Sequence, residues 1–311
     1  MVWKCPSCGQ ALEASDDGLL CAANHSFDRA KEGYVNLLPV QKKRSKRPGD
    51  SLEMVLGRRV VHDARLYQPL AEALGDVVSA RPGIRTLLDI GCGEGFYGGM
   101  LSSRLPHLTC YGIDVAKPAV KLAAKTYPHQ HYAVASSRDL PVITSSIDMA
   151  LCVFSPSNDA EISRVLRPGG FYLEVGPGPE HLWQLKSALY EQPRQHKPSR
   201  RQMMDATLAD EGEVRFDSRL DNGLLQALLA ATPFAFRGRR ESRAALTAQS
   251  DFLVTFAFSW RLFVLGEMGA RYTRYVALEW HGLLLCPERG SSLPDGARFW
   301  KSLRGLYCLR S

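Results

Sequence analysis

The chain reads as an α/β protein built on a doubly wound parallel sheet, and three observations predict it. Residues 86–96, TLLDIGCGEGF, form a short apolar run that breaks into a glycine-rich turn. Residues 108–114, LTCYGID, form a second apolar run that ends in an acid about 20 residues beyond the first glycine. Residues 147–154 (IDMALCVF) and 164–175 (RVLRPGGFYLEV) supply further strands, the last one entered through a proline-glycine turn.

Leu87, Leu88 and Ile90 give the continuous apolar pattern of a strand covered on both faces. Gly91, Gly93 and Gly95 then remove the Cβ atoms that would hold a ligand off the peptide N–H groups. The dinucleotide pattern G-x-G-x-x-G would place glycine at 96, where this chain has Phe96. The pattern is instead acidic-x-G-x-G-x-G, and Asp114 falls where such folds hold ribose hydroxyls. Together the four segments resemble the class I S-adenosylmethionine-dependent methyltransferases. That resemblance implies a Rossmann-like domain whose glycine turn (Gly91, Gly93) faces the methionine end of the cofactor, with Asp114 on the ribose. Glu94, inside the turn, is then expected to accept from the methionine ammonium, and Cys92 to be a small side chain in a crowded place.

In the first 40 residues, Cys5 and Cys8 lie in CPSCG and Cys21 and His25 in CAANH, a C-x2-C-x12-C-x3-H arrangement. Two pairs of soft or borderline ligands at this spacing predict tetrahedral zinc. All four positions are filled by protein, so the metal is expected to be structural. Gly9 after Cys8 permits a tight turn that aims backbone amides at sulfur.

Residues 27–48 run from an aromatic-containing apolar segment into Lys42, Lys43, Arg44, Lys46 and Arg47, five basic residues in six positions. A charge run alone would be a solvated linker. Placed between a zinc module and a methyltransferase fold, it is expected to meet RNA phosphates. The formal charge of +7 and the pI near 9.0 agree with an anionic partner without requiring one.

The order CPSCG, CAANHSFD, KEGYVNLLPVQ, a basic run, PGDS, the pair Arg58 and Arg59, YQPL and DIGCGEG resembles the large-subunit ribosomal RNA guanine-N1-methyltransferases. These include the enzymes of macrolide and tylosin resistance, and the likeness is strongest to the Gram-negative branch. It covers about residues 1–260. The resemblance implies a zinc module that helps hold an rRNA hairpin, a homodimer whose cleft takes the RNA, and Tyr67 and His181 beside the cofactor.

Residues 51–80 read as helical, with Leu52, Val55, Leu56 and then Leu66, Leu70 and Leu74 on apolar faces. The segment Phe154-Ser155-Pro156-Ser157 stands where base-modifying methyltransferases often carry an N-P-P-Y type motif, and lacks the asparagine and the terminal aromatic. Residues 182–250 are rich in arginine, glutamine and helix formers, with His196, Arg200 and Arg201 in a polar stretch suited to a lid or an RNA-facing insertion. Residues 251–259, DFLVTFAFS, alternate as a strand and are expected to be the last, antiparallel member of the sheet. The domain plan is thus 1–40 zinc module, 41–80 basic linker and helical lead-in, 81–262 methyltransferase domain and 263–311 a tail without a clear period.

At 45% hydrophobic content the chain can bury an ordinary core. Its greasiest run, residues 252–265, is broken by Arg261 and too short for a bilayer span. No apolar signal segment opens the chain, so a cytoplasmic location is expected, with the eight cysteines as thiols or metal ligands. Three functions fit these features: methylation of guanine N1 in a large-subunit rRNA hairpin, methylation of a small quinone or acid, and a binding protein that keeps the fold without activity. The zinc module and basic run favour the first, since a small substrate needs neither. Guanine N1 carries a proton at neutral pH, so a proton acceptor is required. No residue is assigned to that role, with Asp159 and Glu161 as candidates just past the fourth strand.

Overall fold

The computed structural model describes residues 1–42, 49–232, 234 and 240–266. Its frame is an eight-stranded sheet in the order β10-β11-β9-β8-β5-β6-β7-β4. The members are β4 (Val35–Asn36), β5 (Thr86–Ile90), β6 (Thr109–Asp114), β7 (His131–Val134), β8 (Ile147–Val153), β9 (Leu166–Pro177), β10 (Ala206–Leu220) and β11 (Phe252–Leu265). From β4 to β9 every neighbouring pair is parallel, and β11 is antiparallel to both β9 and β10. Strand β11 is therefore antiparallel as expected, but it lies inside the sheet, and β10 takes the edge. Residues 206–220, which sequence composition suggested as helix or lid, form that long edge strand because alternate side chains pack inward along it.

Chain order reverses at β5. The strands β6 and β7 follow on one side and β8 and β9 on the other, so the carboxyl ends of β5 and β8 flank a topological switch point. The period of two sorts the strand residues between two cores. Leu87, Met149, Leu151 and Val153 join α2 (Gln68–Ser79), α3 (Phe96–Arg104), α6 (Trp183–Leu189) and α7 (Asn222–Ala230) on one face. Leu88, Ile90, Ala150 and Cys152 face the other way, onto α5 (Asp159–Val165) and the N-terminal residues Trp3, Leu12 and Leu19.

Those N-terminal residues belong to a small antiparallel sheet of β1 (Leu12–Ser15), β2 (Gly18–Cys21) and β3 (Ser26–Asp28). It is joined to the main sheet twice. Trp3 bridges to Val142, and Val35 and Asn36 pair with Ala133 and Val134. Trp3 also packs edge-on against Tyr111 of β6, with ring centroids 5.4 Å apart. The metal-binding segment is thus part of the cover of one sheet face.

Helix α1 (Leu52–Asp63) is started by Ser51, whose Oγ accepts from the Met54 N–H at 3.2 Å. It ends where Arg65 takes a positive φ, and α2 begins with proline in its first turn. The predicted helical stretch is therefore two helices, and the break between them places Tyr67 at the mouth of the switch point. Helix α4 (Lys117–Thr126) follows β6 and packs Val120 and Ala123 against Tyr34 and Leu38.

Candidate active site and metal centre

A cleft of about 880 Å³ opens at the carboxyl ends of the parallel strands. Its floor is the glycine turn. Gly91, Gly93 and Gly95 all have positive φ, yet a Cβ would meet a different obstacle at each. At Gly91 it would strike the Ser155 side chain, and at Gly95 it would come within 2.5 Å of the Tyr132 hydroxyl. At Gly93 the nearest atom is Arg58 Nη1 at 3.4 Å, so a side chain there would stand in the cleft. Gly93 is the position that keeps the backbone open to a ligand.

Asp114 terminates β6 and lines the same cleft. Its carboxylate is aimed by two amides, Gly93 N–H at 3.0 Å and Ala116 N–H at 2.7 Å. Burial pushes its pKa up, and these two donors act against that. Each oxygen keeps a lone pair for a further donor, the requirement for two ribose hydroxyls. Beneath the turn, Asp89 is buried and its Oδ2 has no hydrogen-bond partner. Burial, with Asp114 adding, pushes its carboxyl up to about 7.

Glu94 also lines the cleft, but its two oxygens are engaged. Arg59 donates to Oε2 at 2.9 Å, and His62 Nδ1 lies 2.5 Å from Oε1. His62 is buried, stacked on Phe96 at 4.0 Å, and burial holds its pKa below the usual value. The carboxylate is thus the centre of a charged chain between α1 and the glycine turn, and it is not a bare acceptor. Arg59 and His62 lie outside the site the sequence predicts, although Arg58 and Arg59 stand in the order of motifs that carries the family resemblance.

Arg58 donates to Asp50 at 2.7 Å, and both line the cleft with Leu38, Gln41 and Gly49. The segments KEGYVNLLPVQ and PGDS therefore contribute cleft wall as well as linker. Tyr67 and His181 lie together on the far side, ring centroids 6.5 Å apart. Burial raises the Tyr67 pKa, while burial, His196 and Lys186 push His181 down to about 3. Asp159 and Glu161 are elsewhere: Asp159 pairs with Arg201, and Glu161 with Arg164 and the Leu140 amide. Neither lines the cleft, so neither is placed to accept a substrate proton.

Cys5, Cys8, Cys21 and His25 converge, with all four ligand atoms within 4.8 Å of one another. Cys8 and Cys21 sulfurs are 3.6 Å apart, and Cys21 sulfur is 3.3 Å from His25 Nδ1. A zinc–sulfur bond of about 2.3 Å in a tetrahedron puts sulfurs about 3.8 Å apart, so the donor set fits that ion. His25 N–H points at Cys21 sulfur at 3.3 Å, and Gly9, with φ +79°, closes the turn after Cys8 by donating to the Cys5 carbonyl. Lys43, Arg44, Lys46 and Arg47, with the Lys42 side chain, lie outside the described residues.

Comparison with known proteins agrees with this division. A zinc-ribbon family described as "RlmA, N-terminal" matches residues 3–46, and a methyltransferase domain family matches residues 87–170. The 23S rRNA (guanine(748)-N(1))-methyltransferase of Streptomyces fradiae is 36% identical over 241 residues, 74% of this chain and 84% of the relative. YxjB of Bacillus subtilis, whose name assigns it 23S rRNA guanine-N1 methylation provisionally, is 28% identical over 77% of this chain and 89% of its own. A malonyl-[acyl-carrier protein] O-methyltransferase of Serratia marcescens is 30% identical over only 35% of this chain and 45% of its own.

Proposed function

We propose, because the chain belongs to the family of 23S rRNA (guanine-N1)-methyltransferases, that it methylates guanine N1 in a hairpin loop of large-subunit rRNA, using S-adenosylmethionine. The observation that carries this reading is the fusion of the two sites: a zinc ribbon that roofs the same sheet whose carboxyl edge forms the cofactor cleft. Small-substrate methylation of a quinone or acid accounts for the glycine turn but gives the ribbon no role.

The cofactor's sulfonium supplies an electrophilic methyl group. The chain's own residues align it, which is the main requirement of an in-line displacement. Gly91 and Gly93 admit the methionine end to the backbone, and Asp114 accepts from the ribose. Glu94, held by Arg59 and His62, sets the charge at the head of α3, and Tyr67 and His181 close the far wall. Cys5, Cys8, Cys21 and His25 hold a structural zinc that fixes the ribbon. The basic run Lys42, Lys43, Arg44, Lys46 and Arg47 binds RNA phosphates. Residues 1–40 form the RNA-recognition module, 41–80 the lead-in and 81–262 the catalytic domain.

The protein works in the cytoplasm as a homodimer. Along α1, Leu52, Leu56 and Val60 are exposed one turn apart. An antiparallel pairing about Leu56 would set Leu52 against the partner's Val60. Among the described residues no helix is long and apolar enough to cross a membrane.

The test is to incubate purified protein with S-adenosylmethionine and an rRNA fragment, and to map N1-methylguanine by the block it imposes on primer extension. A new cofactor-dependent stop at one guanine is expected. Methylation of a quinone or acid with no stop on rRNA would replace this reading with the small-molecule one.

A further inference from the structure

We propose that the target guanine stacks on Phe154 beside His181 and gives its N1 proton to Nε2 of His196, an inference that rests on the function just stated. Three features of the cleft wall carry it; none belongs to the zinc site or the glycine turn, and His181 borders the cofactor as well.

The first is Phe154. It follows β8 at the switch point with φ +53°, a conformation that strains a bulky residue. Its own amide is fastened to the Val175 carbonyl of β9 at 3.0 Å. The ring rests edge-on against Phe258, with centroids 5.9 Å apart, and leaves its other side uncovered. It remains 45% exposed and lines the cleft, while neighbouring Val153, Phe256 and Phe258 are buried. A strained aromatic that stays uncovered in a cleft is a platform for a flat ligand. His181 stands at the rim of that platform, its ring centroid 5.5 Å away and tilted by 31°.

The second is the tautomer of His181. Its Nδ1 faces the Ala257 N–H at 3.4 Å, which leaves the ring proton to Nε2. His181 is therefore a donor toward the cleft.

The third is His196. Its Nε2 is buried in the cleft wall with no hydrogen-bond partner, a condition that calls for a ligand. The main chain is pinned there by His196 N–H donating to the Pro179 carbonyl at 3.1 Å. Its ring centroid lies 6.3 Å from that of His181. Lys186, which donates to the Arg194 carbonyl, faces both rings, and burial with that charge keeps His196 below its usual pKa. In the tautomer with the ring proton on Nδ1, the unpartnered Nε2 is a base at neutral pH.

Guanine presents O6 as an acceptor next to N1–H as a donor. His181 Nε2–H matches O6, and His196 Nε2 matches N1–H. Adenine reverses both partners, with an amino donor facing the His181 proton and a lone pair facing the His196 lone pair, so the pair selects guanine. As Nε2 takes the proton, the electron pair left on N1 forms the bond to the methyl group. The carbon–sulfur pair withdraws onto sulfur, turning the sulfonium into a thioether, and the His196 imidazolium returns its proton to water.

The experiment first maps the nucleotide that the parent enzyme methylates, then places 6-methylisoxanthopterin, a fluorescent guanine analogue that keeps the guanine-like carbonyl and N–H edge, there in the same hairpin. Without cofactor, binding to the parent should change the fluorescence of that base. Phe154→Leu should lose most of that change and Phe154→Tyr should restore it. His196→Gln should bind S-adenosylmethionine and the hairpin within about twofold of the parent but lose roughly 100-fold in kcat, the lower range for a general base. Parent-like fluorescence in Phe154→Leu, or kcat within threefold in His196→Gln, would overturn the proposal. A parent that leaves rRNA unmethylated fails at the mapping step and overturns the function reading with it.

Discussion

The zinc ribbon and the glycine corner both hold a ligand on short turns, yet they take their order from opposite sources. In the ribbon, strands of three or four residues carry few buried side chains, and the convergence of Cys5, Cys8, Cys21 and His25 is the feature that joins them. In the corner, Gly91 and Gly93 follow directly on β5, which is buried on both faces, and Asp114 is oriented by backbone amides before any ligand arrives. The ribbon is organised by what it binds, and the corner is preorganised to bind. Damage to the first should therefore appear as lost stability, and damage to the second as lost affinity.

The largest effect is expected from Cys21→Ala. One zinc per chain should fall to near zero by elemental analysis. Because Trp3, Leu12 and Leu19 share a core with Leu88 and Ile90, the melting temperature of the whole chain should drop by roughly 10 °C, which corresponds to several kcal/mol. Retained zinc with an unchanged melting temperature would contradict the assignment of ligands and the shared core together.

Gly93→Val sharpens the contrast from the other side. Its Cβ meets only the flexible Arg58 side chain, but φ +55° strains a β-branched residue, so the fold should survive with a melting temperature lowered by about 5 °C. S-adenosylmethionine affinity measured by calorimetry should fall by more than about 100-fold, since the branch would stand where ligand meets backbone. Near-parent affinity would move the cofactor off the turn.

Asp89 links stability to pH in the corner alone. Its carboxyl is raised from 3.8 to about 7 in the fold, so the folded state holds the proton more tightly. That contribution is complete below pH 3.8 and is lost as pH rises through about 7. The difference is on the order of 4 kcal/mol. Asp89→Asn should flatten the fall in unfolding free energy between pH 5 and pH 8, and an unaltered pH slope in denaturant titrations would show that Asp89 is not its source.

Asp114→Ala should weaken cofactor binding by roughly 1–3 kcal/mol, the range for losing charge-assisted hydrogen bonds, without touching zinc content. Unchanged calorimetric affinity would place the ribose elsewhere. The smallest effect belongs to Lys42, Lys43, Arg44, Lys46 and Arg47. Replacing all five with Gln should leave both ligands bound and lower the salt slope of hairpin binding by roughly 0.7 for each lost phosphate contact. An identical slope would make the run a solvated linker.

Several features were legible because they are local. Ligand spacing in Cys5-Pro6-Ser7-Cys8 and the break from Leu87-Leu88 into glycine describe backbone conformation, which neighbouring residues largely dictate. Acid at the end of β6 followed from the length of one strand-helix-strand unit. Strand β10 was missed because composition is a weak guide where tertiary packing decides, and its inward side chains acquire meaning only beside β11.

What the sequence by itself determined, then, is the class of sheet, the metal ligands and the cofactor corner, each written within a few consecutive residues or one repeating unit. Only the tertiary structure decided that Glu94 is claimed by Arg59 and His62, that the ribbon roofs the sheet, and that His196, with an unpartnered nitrogen, joins Phe154 and His181 in one cleft wall. Those groups lie tens of residues apart, on segments whose meeting depends on strand order and on a helix break at Arg65. No local pattern fixes such a meeting, because the free energy that brings the side chains together comes from burying the sheet between its two covers and not from the residues that meet.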